Sequence, residues 1–589
     1  MKQLSDEKRE MRIMKNDKHM AARIGRRNFI GNSVAVAASS LLGGGLVASS
    51  SAQAGTTRSN NCGIVSVKSF GAIGDGVADD TAALQAALDI LGPGVILQLD
   101  GLTLKISGPV SVYAKTGFVL DGIGATIIAE NGMPVVQGNN LLFIHESTNF
   151  TVCNLIVDGN RATRTPAEVW SHNIAIHSCQ RFIFEQVTSN NAVVDGFYFS
   201  LMDTLNFNDT STYNRDFQMH NCFADNCYRQ GASVINAYDF LFMGGAYTNS
   251  NGTAPQAGID VESNDGPTIG NARGRFYGCR FEGNAGYGLV LSSVAGAKSH
   301  SVDSCYFSAN DGGGISIGTP DTHIRACEFV SHSGINITQG IVSFPANPDI
   351  TSGSISECSF KNNTNTTSAI YLHPLTSGVS VLNNKIDSHT GNAINMAGSR
   401  HRVEMNSITN CGGLGIVAHC TNGVVSENYI KAATKNGIYG GSNYPRLRII
   451  SNIIEDIVSV SGAYIQCVSN DCEIQGNTCS AELPTSDYGI RVDGSSLGIH
   501  GNICINLNST DPYIYSTSGI NDDLVYNNVG GTANDRRIVK SGMASPSFYE
   551  TLRPDAATVA PGQCIFNVTT GQPNWSDGTN WVDASGAIT

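Results

Sequence analysis

Charge and aromatic rings are scarce in this chain. Asp, Glu, Lys and Arg make up 14% of its 589 residues, and Phe, Trp and Tyr only 7%, with three tryptophans. An α-helical enzyme of this size would carry more Lys, Glu and Leu, so that class is excluded. Basic surface is scarce too. The net charge is −13, and the first 54 residues hold nine Lys/Arg against four Asp/Glu, which leaves the remainder near −18. Duplex DNA and RNA are therefore excluded as partners, because phosphate binding needs a basic face. A purely polyanionic glycan would be repelled unless a local basic cleft or a bridging cation intervened. Beyond residue 54 no apolar run is long enough to span a bilayer. No Cys-x-x-Cys pair has a matching second pair, so no zinc site and no protein-bound metal is expected.

Gly is abundant, at 65 residues. With Asn and Ser it fits many short strands joined by turns. From residue 150 a pattern recurs: Cys or Asn, any residue, then an apolar residue. It appears at Cys153-Asn154-Leu155, Cys279-Arg280-Phe281, Cys305-Tyr306-Phe307, Cys327-Glu328-Phe329 and Cys358-Ser359-Phe360. Asn then takes the position at 384, 406, 428, 452, 477 and 502. From Cys279 the steps are 26, 22, 31, 26, 22, 22, 24, 25 and 25 residues. A second motif runs in phase with it, a small residue followed by apolar-x-apolar. Gly196-Phe197-Tyr198-Phe199, Gly231-Ala232-Ser233-Val234, Gly258-Ile259-Asp260-Val261 and Gly288-Leu289-Val290-Leu291 are examples.

Two motifs in phase every twenty-odd residues mean one unit repeated many times. Each unit holds alternating strands and no helical period, so it is a β-coil that buries its inner face by stacking on neighbours. At about 4.8 Å per coil, about fourteen coils make a rod of roughly 65 Å. The repeated Asn predicts a ladder of side-chain amides at one corner. Of the sixteen cysteines, those at the same corner read as stacked buried thiols rather than disulfides.

Along such a coil the third and fifth positions of the Gly motif face outward. By coil these pairs are Ala175/His177, Tyr198/Ser200, Ser233/Ile235, Asp260/Glu262, Val290/Ser292 and Ser316/Gly318. Only one coil offers two acids. Asp195 stands just before its motif, as do Arg229 and Gln230 before theirs. The candidate catalytic residues are accordingly Asp260, Glu262 and Asp195. The candidate substrate-binding residues are Arg229, Gln230, His177, Tyr198, Arg215 and Trp170. Arg215 and Trp170 come from long segments, 201–220 and 158–172, which with 263–277 are expected to wall a cleft. Two carboxylates at this spacing suit glycoside hydrolysis, one kept protonated by burial and repulsion, the other activating water or attacking carbon. A lyase is the alternative, with Arg229, His177 and Tyr198 serving proton abstraction and charge neutralisation at a uronate. A glycan-binding or structural rod without turnover is the other. The acidic body favours hydrolysis.

Val67-Lys68-Ser69-Phe70-Gly71-Ala72-Ile73-Gly74-Asp75-Gly76, followed by Asp79-Asp80-Thr81 and a Leu-Gln helix over about 79–90, opens the rod. This segment, with the coil repeat over 63–530, resembles the pectate-lyase-like superfamily, which includes rhamnogalacturonases, epimerase-like proteins and tailspike depolymerases. The resemblance implies an all-β, single-stranded right-handed parallel β-helix with an N-terminal capping helix, and it implies a polysaccharide substrate without fixing the reaction. Asp75, Asp79 and Asp80 read as turn and cap residues. The Gly-His-Gly and Arg-Ile-Lys pattern of pectin hydrolases is absent, so that mechanism is not carried over. No cofactor is expected to be required. A Ca²⁺ ion near Asp195 and Asp260 is left open, as is a homotrimer of the tailspike kind. At the other end, 531–589 resembles small C-terminal hairpin modules, with a turn at Asp577-Gly578. Residues 1–54 read as an export signal: Arg26-Arg27-Asn28-Phe29-Ile30, an apolar stretch to about Val47, then Ala52-Gln53-Ala54. The paired arginines resemble a twin-arginine signal, with Gly25 where Ser or Thr is usual, which implies a periplasmic or extracellular destination.

Overall fold

The computed structural model describes residues 63–589, except 167–168, 203–208, 263–269, 293–296, 340–349, 459–462, 483–487, 506, 508–513, 517–523, 527, 531–546, 549–552, 560 and 568. The export signal and parts of all three expected cleft walls lie outside the described residues.

The chain is a right-handed parallel β-helix. Each coil contributes three short strands, as in Ile259–Val261, Ala272–Tyr277 and Arg280–Glu282. Each strand pairs in parallel with its equivalent in the coils before and after: Ala232–Val234 on Ile259–Val261, and Ile259–Val261 on Leu289–Leu291. Inward positions stack as ladders. Phe281, Phe307, Phe329 and Phe360 lie face to face with ring centroids 4.8 Å apart, the spacing of the strands that carry them.

The Cys/Asn corner explains the first repeat. Each ladder residue follows one in the left-handed region, such as Glu357 (φ 58°), Asn383 (φ 52°) and Glu427 (φ 56°). That turn points the next side chain along the rod axis into the adjacent coil. Asn406 Nδ2 donates to Asn428 Oδ1 at 2.9 Å, Asn428 to Asn452 at 2.9 Å, and Asn452 to Asn477 at 2.9 Å. Each amide thereby satisfies a buried turn that would otherwise leave polar groups unpaired. In the earlier coils the corner holds thiols. Every cysteine among the described residues is free, and all but Cys153 and Cys564 are buried.

The glycine of the second motif is required by close approach. A Cβ on Gly258 would lie 2.6 Å from the Gly288 carbonyl oxygen and 2.9 Å from Phe281. The equivalent atom on Gly231 would lie 2.6 Å from the Gly258 carbonyl. Gly258→Ala is therefore expected to cost about 1–3 kcal/mol, the usual penalty of overpacking. Gly498→Ala, where nothing lies within 4 Å, should be neutral. Thermal unfolding of the two variants checks this.

The capping helix spans Thr81–Asp89 and buries Leu84, Ala87 and Leu88. Asp80 occupies its N-cap position, but its carboxylate does not cap the helix. It accepts instead from the Ile73 and Gly74 backbone N–H groups at 2.7 and 3.0 Å, tying the preceding loop down. Asp79 accepts from the Thr81 N–H at 3.0 Å, and Asp75 from Val77 and Ala78. Near the C-terminus, strands Ser547–Phe548, Cys564–Asn567, Gln572–Ser576 and Trp581–Val582 form a separate sheet. Trp581 is buried against Ala556 and Ile565 and donates to the Pro554 carbonyl at 2.7 Å. That tryptophan packs a small core and presents no sugar-stacking face. Among the described residues no helix is long and apolar enough to cross a membrane.

Candidate active site

The strands Ile174–His177, Phe197–Ser200, Ala232–Val234 and Ile259–Val261 stack in that order on one face. Their register aligns Ala175, Tyr198, Ser233 and Asp260 in one outward row, and His177 with Ser200 in the next. The row is outward but not exposed: Tyr198 is 0%, Ser233 1% and Asp260 2% accessible. Trp170 and His172, from the long segment before the first of these strands, lie on it. His172 stacks on Tyr198 at 4.0 Å, and Trp170 meets the same ring edge-on at 5.1 Å. A polar cluster is thus enclosed outside the β-helix core.

Asp195 is its fixed anion. Arg229 Nε and Nη2 donate to its two oxygens at 2.8 and 2.5 Å, Ser233 Oγ donates at 2.9 Å, and His172 Nδ1 lies 3.2 Å away. Burial alone would push this carboxyl up. The Arg229 charge and hydrogen bonds, with those of His172, outweigh it and hold the carboxyl well below the usual range. Asp195, expected to be catalytic, is here bonded to Arg229, whose side chain is 31% exposed, and to Ser233, an arrangement in which the carboxylate holds the guanidinium in place.

Asp260 is the opposite case. Gln230 Nε2 donates to its Oδ2 at 2.6 Å, and Gln230 Oε1 lies against Ser233 Oγ, whose single proton serves Asp195. Burial and then the Glu262 charge push the Asp260 carboxyl well above its ordinary range. A buried carboxyl beside a second acid keeps its proton to higher pH than a free one, so Asp260 is the member of the pair that holds a proton more readily. Asp260 Oδ1 accepts no hydrogen bond from an N–H or O–H donor among the described residues, which leaves that oxygen to carry the proton. Glu262, just past the strand end, is exposed. The dyad therefore has a buried end, Asp260, and a solvent end, Glu262.

This arrangement sets a pH signature. A carboxyl raised in the folded state stabilises the protein below its unfolded value, near 3.9, and loses that contribution as pH rises through the folded value. Wild-type stability should therefore decline with rising pH from near 3.9 upward, and level off once the folded value is passed. Asp260→Asn, neutral at every pH, should flatten that decline. Thermal midpoints from pH 5 to 9 for both proteins measure it.

The structure divides the other expected residues. Gln230 is 2% accessible and serves the dyad rather than a substrate. Tyr198 is fully buried, its hydroxyl beside Ser200 but outside hydrogen-bond geometry. Burial pushes that phenol up, so it is no base. His177 lies in the same face with its pKa lowered by burial to about 3, and is neutral. Trp170 is 40% exposed. Arg215 does not join the site. It sits in strand Asn214–His220 of another sheet, bonds the Thr210 carbonyl at 2.9 Å and lies over Tyr238. Of the arginines expected in the cleft wall, Arg161 bonds Asn226 and Asn251, and Arg164 is buried against Met133 and Gly159 carbonyls. Both fasten the segment down.

A metal fits poorly here. Ca²⁺ seeks several ionised or carbonyl oxygens, whereas Asp195 is already bonded by Arg229 and Ser233, and burial disfavours ionisation of Asp260. Among the described residues no group of three or more His, Cys, Asp and Glu is placed to hold an ion. A surface hollow of about 740 Å³ lies elsewhere. It lies on a different sheet face, lined by Ile123, Asn154, Gln186, Thr188, Asn221 and Phe223 among others, none of them titratable.

Fold and cluster together define a right-handed parallel β-helix protein with an acid dyad enclosed on one outer face. Residues 347–479 match the family described as right handed beta helix region. Over 110 residues, 16% of this chain, it is 34% identical to mannuronan C5-epimerase AlgE1 of Azotobacter vinelandii and 33% identical to AlgE3 of the same organism. Those stretches are 8% and 6% of the two relatives, so the chain spans less than a tenth of their length. Among solved structures, the N-terminal fragment of bacteriophage phi29 gene product 12 aligns with 82% of this chain and 97% of its own, at TM-score 0.45 and 12% identity. The AlgE6 A-module of A. vinelandii aligns with 80% of this chain and all of its own, at TM-score 0.28 and 15% identity.

Proposed function

We propose that this protein is an exported glycan-cleaving enzyme, a glycoside hydrolase in which Glu262 is the catalytic residue and Asp260 its positioning partner. The observation that carries the reading is the pairing of a buried carboxyl, Asp260, with an exposed one, Glu262, on one strand end beside the Arg229–Asp195 pair. Such a pair stores a proton at neutral pH and presents it at the solvent end, where a glycosidic oxygen can take it. Arg229, oriented by Asp195, supplies a fixed donor fork beside the reacting bond. The dyad acts as one acid, so the second hydrolytic role falls to water activated as Glu262 recovers its charge. No cofactor enters this scheme. Export follows the twin-arginine route proposed from Arg26-Arg27, to the periplasm or beyond.

A lyase is the second reading, favoured by the part-exposed Arg229 guanidinium, which could neutralise a uronate carboxylate. The local likeness to enzymes named for mannuronan supports glycan chemistry of this general kind. Incubation with a panel of polysaccharides, followed by mass spectrometry, separates the readings. Hydrolysis yields fragments whose masses sum to substrate plus one water. Fragments that sum to the substrate alone and absorb as unsaturated uronates would establish the lyase and reject hydrolysis.

A further inference from the structure

The site face continues toward the N-terminus as a series of rings. Strands Val110–Tyr113 and Leu142–His145 stack ahead of Ile174–His177, and the register aligns Tyr113, His145 and His177 in one outward row. Phe143 belongs to the neighbouring row, in line with Ala175. Tyr113 and Phe143 lie face to face with His145 at 4.7 and 4.3 Å, and Phe143 meets His177 edge-on at 4.9 Å. His177 leads to Tyr198 at 5.7 Å, and Trp170 completes the series. Tyr113, Phe143, His145 and His177 are half-buried, each with part of its surface open to solvent. In the two coils that follow the dyad the same rows carry Val290, Ser292, Ser316 and Gly318, with no ring.

We infer that this row is a binding rail for a glycan chain of low charge, laid along the rod axis and meeting Glu262 at one end. The inference deepens the reading of the site as glycan-directed. Five strand spacings separate the Tyr113 coil from the Glu262 coil, about 24 Å, room for several sugar residues. Aromatic rings offer flat apolar faces to the C–H faces of pyranoses while leaving hydroxyls free to bond elsewhere. His177 Nε2 and Glu146 Oε2, on the same coils, have no hydrogen-bond partner among the described residues. The charge class follows from what surrounds the rail. Arg229, the cation beside the dyad among the described residues, is already paired with Asp195, Glu262 is acidic, and the body of the chain is strongly negative. A polyanion would be repelled.

Affinity electrophoresis in gels cast with galactomannan or xyloglucan, and with alginate or polygalacturonate, tests this without requiring turnover. A neutral polysaccharide is expected to retard the wild-type protein and the anionic ones are not. Tyr113→Ala and Phe143→Ala should each weaken retardation at least tenfold, while Tyr277→Ala, an exposed ring on another sheet, should leave it unchanged. Retardation by the anionic gels alone, by none of the gels, or undiminished in both rail variants would overturn the inference. Retardation that depends on the rail, in a protein that cleaves nothing, would uphold the rail and reject the hydrolase.

Discussion

Glu262→Gln is expected to remove turnover and keep binding, with kcat falling by about two to four orders of magnitude, the usual worth of a positioned acid or base. The amide preserves size and hydrogen bonding, but it can neither share nor deliver the dyad's proton. Asp260→Asn should behave differently. It leaves Glu262 in place beside a neutral amide, without the burial-raised partner that keeps a proton at hand. Activity should persist at reduced kcat, with the limb of the pH profile that reports the dyad displaced toward acid. Kinetics from pH 4 to 9 with both variants distinguish the roles. Equal losses with unchanged profiles would mean that neither carboxyl handles the proton.

The second large effect is on stability. Asp195→Ala should cost about 3–5 kcal/mol locally, because it leaves Arg229 without its counter-charge in a largely enclosed cluster. Replacing both partners together, as in Asp195→Leu/Arg229→Met, should recover much of that loss, since two apolar side chains leave no unpaired charge. Asp195 is held low in the folded state. Its contribution is therefore present above the unfolded value, near 3.9, and is lost as pH falls through the folded value. The loss in Asp195→Ala should accordingly be full at neutral pH and shrink in acid. Hydrogen exchange in strands Phe197–Ser200 and Ala232–Val234 reads the local opening.

Much of this was legible in the sequence for a physical reason. A stacked coil repeats its constraints: the Gly needed against the next carbonyl, the Asn needed at the turn, the inward apolar pair. Each recurs at the same phase and becomes visible by repetition. That phase also fixes which side chains from distant coils meet, so Asp195, Arg229, Asp260 and Glu262 could be brought to one strip by counting. Counting could not show what covers the strip. Tyr198 points outward, yet it is sealed because Trp170 and His172, from an irregular segment that leaves no periodic trace, fold back over it. For the same reason Arg215 was misplaced: a long segment that changes sheets midway, at Asn214, looks like one loop. The rings at Tyr113 and Phe143 escaped because their strands lack the leading glycine. Leu142-Phe143-Ile144-His145 and Ile174-Ala175-Ile176-His177, two apolar-x-apolar-His runs 32 residues apart, were the signal available.

The account rests on a proton held between Asp260 and Glu262 at neutral pH. Infrared difference spectroscopy of wild type against Asp260→Asn, titrated from pH 4 to 9, observes it directly. The account predicts a protonated-carboxyl C=O band in the wild type that survives through pH 7 and is missing from the variant. Loss of that band below pH 5, leaving only ionised carboxylate absorption at neutrality, would contradict it.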